Sequence, residues 1–180
     1  ETAELVTFSP LEGDPVPDVD GIYLPGGYPE LHPDQLSKSS TVEEIAAKAK
    51  DGVPVFGECG GMMVMSQALK TREGEVYEMA GILPAEVEMV EDLQGLGYVE
   101  LEGEVDSPIC SAGNRLRGHE FHYSRIKVQP GGDYAFRAIK GEGMEGTHEG
   151  LVRYNSLGTY THFHPESGAF DSYLSWIEQL

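Results

Sequence analysis

The sequence predicts an α/β domain in which a mostly parallel central sheet is flanked by helices and extended by an antiparallel β region. Three observations carry this expectation. Strand and helix patterns alternate over residues 4–69, the rhythm of parallel βαβ units. From Ala85 onward the chain is rich in strand-forming residues separated by Gly-containing turns. A closing segment then places Phe170, Tyr173, Leu174 and Ile177 on one face of a helix. With 180 residues the chain can build one hydrophobic core and is too short for two ordinary domains, so a single domain over 1–180 is expected.

Taken in order, residues 4–9 and 21–24 read as strands, 41–50 as a helix and 53–56 as a buried strand. The helix has capping-box spacing at its start, in Ser40 with Glu43 or Thr41 with Glu44, and a stop at Asp51-Gly52. A second helix is expected from just after Cys59, through Met62, Met63, Val64 and Met65, towards Leu69. Residues 85–90, 96–101, 116–123, 134–139 and 158–163 all favour strands. The chain opens on what would be the second strand of a doubly wound domain, so a first strand and helix are expected to be missing, leaving an exposed sheet edge.

Twelve basic residues against 31 acidic ones give a net charge of -19, which repels nucleic acid phosphates and anionic lipid headgroups. Neither is expected as a partner. No apolar run has membrane-spanning length, and the start Glu1-Thr2-Ala3 lacks signal-peptide character, so a cytoplasmic protein is expected. Cys59 and Cys110 have neither disulfide-framework nor metal-site spacing, and no metal is expected. At least one of them is there for its thiol.

The sharpest chemical signal is Gly57-Glu58-Cys59-Gly60-Gly61, between a buried strand and an apolar helix. A residue at such a strand-to-helix turn is held in a strained conformation that small neighbours permit, with its side chain presented as a nucleophile. A helix N-terminus also favours thiolate over thiol. A second signal is His162-Phe163-His164-Pro165-Glu166. A cysteine nucleophile needs an imidazole to take its proton and a carboxylate to orient that imidazole. His164 and Glu166 are the candidates, while strand alternation lets His162 share the face of His164. A third is Leu24-Pro25-Gly26-Gly27-Tyr28-Pro29-Glu30, where the N–H of Gly26 or Gly27, with that of Gly60, could form an oxyanion hole.

Together these elements resemble the class I glutamine amidotransferases, which share a Gly-Gly loop, a Gly-x-Cys-x-Gly elbow and a terminal His-x-Glu. The segments Gly21-Ile22-Tyr23-Leu24-Pro25-Gly26-Gly27-Tyr28-Pro29-Glu30-Leu31, Glu58-Cys59-Gly60-Gly61-Met62-Met63, Leu96-Gly97-Tyr98 and Arg117-Gly118-His119-Glu120-Phe121-His122-Tyr123-Ser124 look more narrowly like the glutaminase half of the cobyrinic acid a,c-diamide synthases. The resemblance covers nearly the whole chain. It implies a flavodoxin-like class I amidotransferase fold and glutamine as substrate, hydrolysed through a Cys59 thioester with His164 as base. It also implies an ATP-binding N-terminal synthetase domain, absent from this chain, that amidates the a and c carboxylates of cobyrinic acid in cobalamin biosynthesis. ATP and Mg belong to that domain, and no P-loop run occurs here, so no cofactor is expected in this chain. Members of the family often lack Pro and Glu after the final histidine, so the role of Glu166 comes from the wider amidotransferase pattern. Alternation sends His122 and Ser124 to one face, a polar face that would line the glutamine pocket or the path to the synthetase domain. Nickel-sirohydrochlorin amidation by the same chemistry, or a non-catalytic flavodoxin-like redox module, are the alternatives, and assembly into a homo-oligomer is left open.

Overall fold

The computed structural model describes residues 3–180. Its first half holds β1 (Ile22–Leu24), the short helix α1 (Pro33–Ser37), α2 (Ser40–Lys50), β2 (Val55–Glu58), α3 (Gly60–Met65), β3 (Ala68–Lys70) and β4 (Val76–Glu78). The second half runs through β5 (Ala85–Met89), β6 (Gly95–Gly103), β7 (Arg115–His122), β8 (Ser124–Val128), β9 (Asp133–Lys140), β10 (His148–Arg153), β11 (Ser156–Thr159), β12 (His162–Phe163) and α4 (Ala169–Ile177).

Eight strands form the main sheet in the order β1-β2-β11-β10-β9-β6-β7-β12, and β4-β3-β5-β8 form a second sheet. The α/β class holds, with a smaller parallel share than the sequence suggests. Only β1–β2 and β2–β11 pair in parallel in the main sheet, and its other neighbours are antiparallel. The reason lies in the connections: beyond residue 85 the strands return through turns, which join antiparallel neighbours, and not through helical crossovers. β1 lies at one edge of this sheet.

Residues 4–9 form no strand. Residues 8–19 instead cross the start of α2 as a strap. The Ser39 hydroxyl donates to the Pro10 carbonyl (2.6 Å), the Thr41 hydroxyl to the Asp14 carbonyl (2.5 Å), and Glu44 accepts the Val16 N–H (2.7 Å). Two of these bonds use Thr41 and Glu44, one of the pairs expected to cap α2, while the N-cap, Ser39, makes no side-chain capping bond. Phe8, Leu11, Val16 and Val19 of the strap pack on the core.

The core lies on both faces of the parallel strands, as alternation along β2 requires. Val55 joins α2, α3 and the second sheet on one side through Ile45, Ala49, Met62, Met65, Leu69 and Val87. Phe56 joins Leu157, Phe163 and Tyr173 of α4 on the other. The Tyr173 hydroxyl reaches the carbonyls of Ile22 (2.7 Å) and Pro54 (2.9 Å), fixing α4 across β1 and β2. No helix among the described residues is long and apolar enough to cross a membrane.

The helix expected to run towards Leu69 stops at Met65, and Ala68–Lys70 is a strand. A six-residue helix leaves most of its carbonyls without intrahelical partners. Here they are met from outside: Ser66 N–H donates to Met62 and Met63, Ala80 N–H to Val64, and Leu83 N–H to Met65. The expected strand at 158–163 is likewise divided, into β11 and β12, which pair with β2 and β7 respectively.

Candidate active site

Cys59 stands between β2 and α3 with φ 46° and ψ -103°, a region that side chains other than glycine rarely occupy. Two bonds hold it there: its N–H donates to the Thr159 carbonyl (2.7 Å), and its carbonyl accepts the Met63 N–H (3.0 Å). Gly60 is pressed against the Gly26-Gly27 loop. A Cβ on Gly60 would lie 2.5 Å from the Gly27 oxygen and 2.7 Å from its nitrogen, so only glycine allows the elbow and the loop to meet. Gly27 and Gly60 are therefore brought together as the sequence suggests.

The expected thiolate is not what this environment favours. Cys59 is 7% exposed. Burial pushes its thiol up to about 11, and Glu30, Glu58 and Glu120 add to the rise, against a lowering bond from the Gly60 N–H. The positive end of so short a helix does not offset this, so Cys59 keeps its proton at neutral pH.

The two histidines separate. β12 ends at Phe163, and His164, placed at the start of a single 3-10 turn over Pro165–Ser167, is exposed. Its Nδ1 accepts the Glu166 N–H (3.2 Å). In a neutral imidazole this leaves the proton on Nε2 and no free lone pair to act as base. Glu166 is exposed too, and touches His164 through its backbone and not its carboxylate. His162 points inward. Its ring lies so close over Gly26 that a Cβ there would overlap it, and it stacks on His119 with ring centroids 5.1 Å apart. Burial, then His119, holds the pKa of His162 below its usual value, leaving a neutral imidazole at pH 7. The structure thus sets the His162 ring against the glycine loop and leaves His164 exposed.

Several residues that had no role in the sequence reading are part of this site. Glu58, 4% exposed, accepts the Phe163 N–H (2.9 Å) with one oxygen and the Tyr23 hydroxyl (2.6 Å) with the other, joining the elbow strand to β1 and to the strand of His162. Its pKa is raised by burial. Glu149, fully buried, accepts the N–H groups of Tyr160, Thr161 and Met144 (2.8, 3.2 and 2.9 Å) and fixes the β11–β12 link. Glu120 accepts the Thr161 hydroxyl (3.1 Å). His122 stacks on Tyr160 at 3.8 Å, and Ser124 donates to the Tyr160 hydroxyl (3.0 Å). The alternation that picked out His122 and Ser124 also selects Glu120, which shares their buried face, while Phe121 is exposed. Cys110 is a free, buried thiol in the opposite core cluster. Among the described residues, no three His, Cys, Asp or Glu side chains cluster to hold a metal ion.

The chain is 51% identical over 173 residues to the cobyrinate a,c-diamide synthase of Haloarcula marismortui, covering 96% of this chain and 39% of that protein. It is 50% identical over 174 residues to the synthase of the same name from Halobacterium salinarum, covering 97% and 40%. The chain thus spans about two fifths of the length of these relatives. Among solved structures, PurLQS from Thermotoga maritima contains a chain that superposes with a TM-score of 0.68 at 19% identity, over 91% of this chain and 82% of that one. A glutamine amidotransferase crystal structure follows at 0.63 and 16%, over 89% and 80%. These likenesses show the class I glutamine amidotransferase fold. Residues 1–170 match the family model for the CobB/CobQ-like glutamine amidotransferase domain, and the chain belongs to that family.

Proposed function

We propose that this domain is the glutaminase part of a cobyrinate a,c-diamide synthase, releasing ammonia from glutamine for ATP-dependent amidation of the a and c carboxylates of cobyrinic acid by a synthetase domain. The observation that carries the reading is the strained elbow at Cys59, packed on Gly27 through Gly60, with the His162 ring over Gly26. The half-identical synthases support the acceptor.

In this mechanism His162 takes the Cys59 proton as sulfur attacks the glutamine side-chain amide. The oxyanion lies against the N–H groups of Gly27 and Gly60. His162 then passes its proton to the departing ammonia, leaving a glutamyl thioester. Water adds next, with His162 as base, and releases glutamate. His162 replaces His164 as base because its ring faces the loop and its pKa is held low.

The test compares His162→Ala with His164→Ala in the full-length synthase, following glutamine-dependent and ammonia-dependent synthesis. General-base catalysis contributes about 10²–10⁴-fold. His162→Ala is expected to lose about that much glutamine-dependent rate while keeping ammonia-dependent synthesis, and His164→Ala to stay within a few-fold of wild type. The reverse pattern would restore His164 as base, and loss of both activities in Cys59→Ser would remove the glutaminase reading.

A further inference from the structure

Glu120 is a buried carboxylate whose second oxygen has no partner. The residue is 5% exposed, and Oε1 accepts the Thr161 hydroxyl, yet Oε2 makes no hydrogen bond among the described residues. No lysine or arginine pairs with it. What faces Oε2 is the Nε2 of His122, 3.9 Å away. The other ring nitrogen of His122 lies 3.0 Å from the Ser124 carbonyl, which can only accept, so Nδ1 carries the proton. Burial holds His122 below its usual pKa, so the ring is neutral and Nε2 presents a lone pair.

With Glu120 ionised, two acceptors converge with no donor between them; burial raises its pKa to about 7, and a cationic ligand would favour the ionised form. Both residues line a pocket and are not closed in packed core, so the donor they lack has to come from water or from a ligand held there. Space for one exists. Glu120 and His122 line a cavity of about 300 Å³ together with Gln94, Glu142, Met144 and Tyr160. Gly95 of β6 lies against both side chains: a Cβ there would run into His122 Nε2 and lie 3.2 Å from Glu120 Oε2. The site is tied to Cys59 through the β11–β12 link: the Cys59 N–H donates to the Thr159 carbonyl (2.7 Å), and the Thr161 hydroxyl, two residues on, donates to Glu120 (3.1 Å).

A ligand that fits must present a compact cationic donor able to give protons to two acceptors at once, and a substrate held by Cys59 through its side-chain amide carries one at its other end. We propose that Glu120 and His122 receive the α-ammonium group of glutamine, and so select an amino acid over a simple amide. This inference rests on the glutaminase reading and adds a specificity-determining pair to it. The amide end is handled at Cys59, Gly27 and Gly60, while the opposite end is read by β7.

The experiment measures, by intact mass, the rate at which Cys59 is alkylated by two diazoketones: 6-diazo-5-oxo-L-norleucine, which carries the α-ammonium, and its des-amino analogue. The wild-type protein is expected to react faster with the first. A hydrogen bond to a charged group is worth enough that Glu120→Gln should slow the amino reagent about 10- to 100-fold while leaving the des-amino reagent within about twofold. Gly95→Ala, which fills the space above both acceptors without altering the carboxylate, should give the same selective loss. Equal slowing of both reagents would show a structural role for Glu120, and unchanged rates would show that the cavity serves something other than substrate; either result overturns the proposal alone. A folded wild-type protein that reacts with neither reagent would overturn the glutaminase reading, and this proposal with it.

Discussion

The bond between Tyr23 and Glu58 offers a direct test of how the site is held. Glu58 is the residue before the nucleophile, and its two oxygens reach β1 and β12 at once. A hydrogen bond to a charged group contributes about 1.5–3 kcal/mol. Tyr23 is 38% exposed, so water replaces part of what its hydroxyl loses, and the lower end of that range, about 1.5–2 kcal/mol, applies. For a domain of this size each kcal/mol moves the melting temperature by about 2–4 °C, so Tyr23→Phe should lower it by about 3–8 °C. Glu58→Gln keeps an acceptor for the Phe163 N–H and loses only the charged bond to Tyr23, so it should cost a similar amount. The double variant should cost little more than either single one, giving a coupling of about 1.5–2 kcal/mol in urea unfolding monitored by circular dichroism. Strict additivity, within about 0.5 kcal/mol, would refute the claim that this bond ties β1 to the elbow.

Two further expectations concern protons. Burial raises Glu149 to about 8 and Glu120 to about 7 from a value near 4.5 in the unfolded chain, so the folded state holds these protons more tightly. Their contribution is full below about 4.5 and is lost as pH rises through 7 to 8, so the melting temperature should fall across that window; Glu149→Gln should flatten the fall, and an unchanged slope would contradict it. Cys59, held near 11, should react with a neutral haloacetamide at a rate that climbs about tenfold per pH unit between about 7 and 9, and a plateau near neutrality would mean a thiolate already formed.

The elbow was legible because its signal is local: a buried strand, small residues on both sides of one cysteine, and an apolar helix, all within a few residues. The separation of the two histidines was less legible, because alternation places His162 and His164 on the same face. What parts them is Pro165, a strand breaker that starts a 3-10 turn just after His164, whose N–H still reaches the Arg117 carbonyl of β7 (3.2 Å). A single residue, Tyr123, separates the end of β7 from the start of β8, with no turn residue to mark the passage from one sheet to the other. β10 was missed because Gly150, at φ 69°, interrupts its pattern. The polar contacts of Glu58 and Glu149 span 105 and 12 residues respectively, and no periodicity reports which buried backbone N–H will face a carboxylate.

The helix that follows Cys59 cannot stand by itself. Its terminal carbonyls are answered by N–H groups from Ser66, Ala80 and Leu83, so the excursion through β3 and β4 behaves as a splint and not as a removable ornament. Anyone trimming this domain to a minimal scaffold could shorten the turn at residues 71–75, which returns on itself through the Thr71 and Glu75 backbones, without reaching the helix. Cutting back to residue 83 would take away the donors that end α3, and the first element to loosen would be the one that aims the thiol.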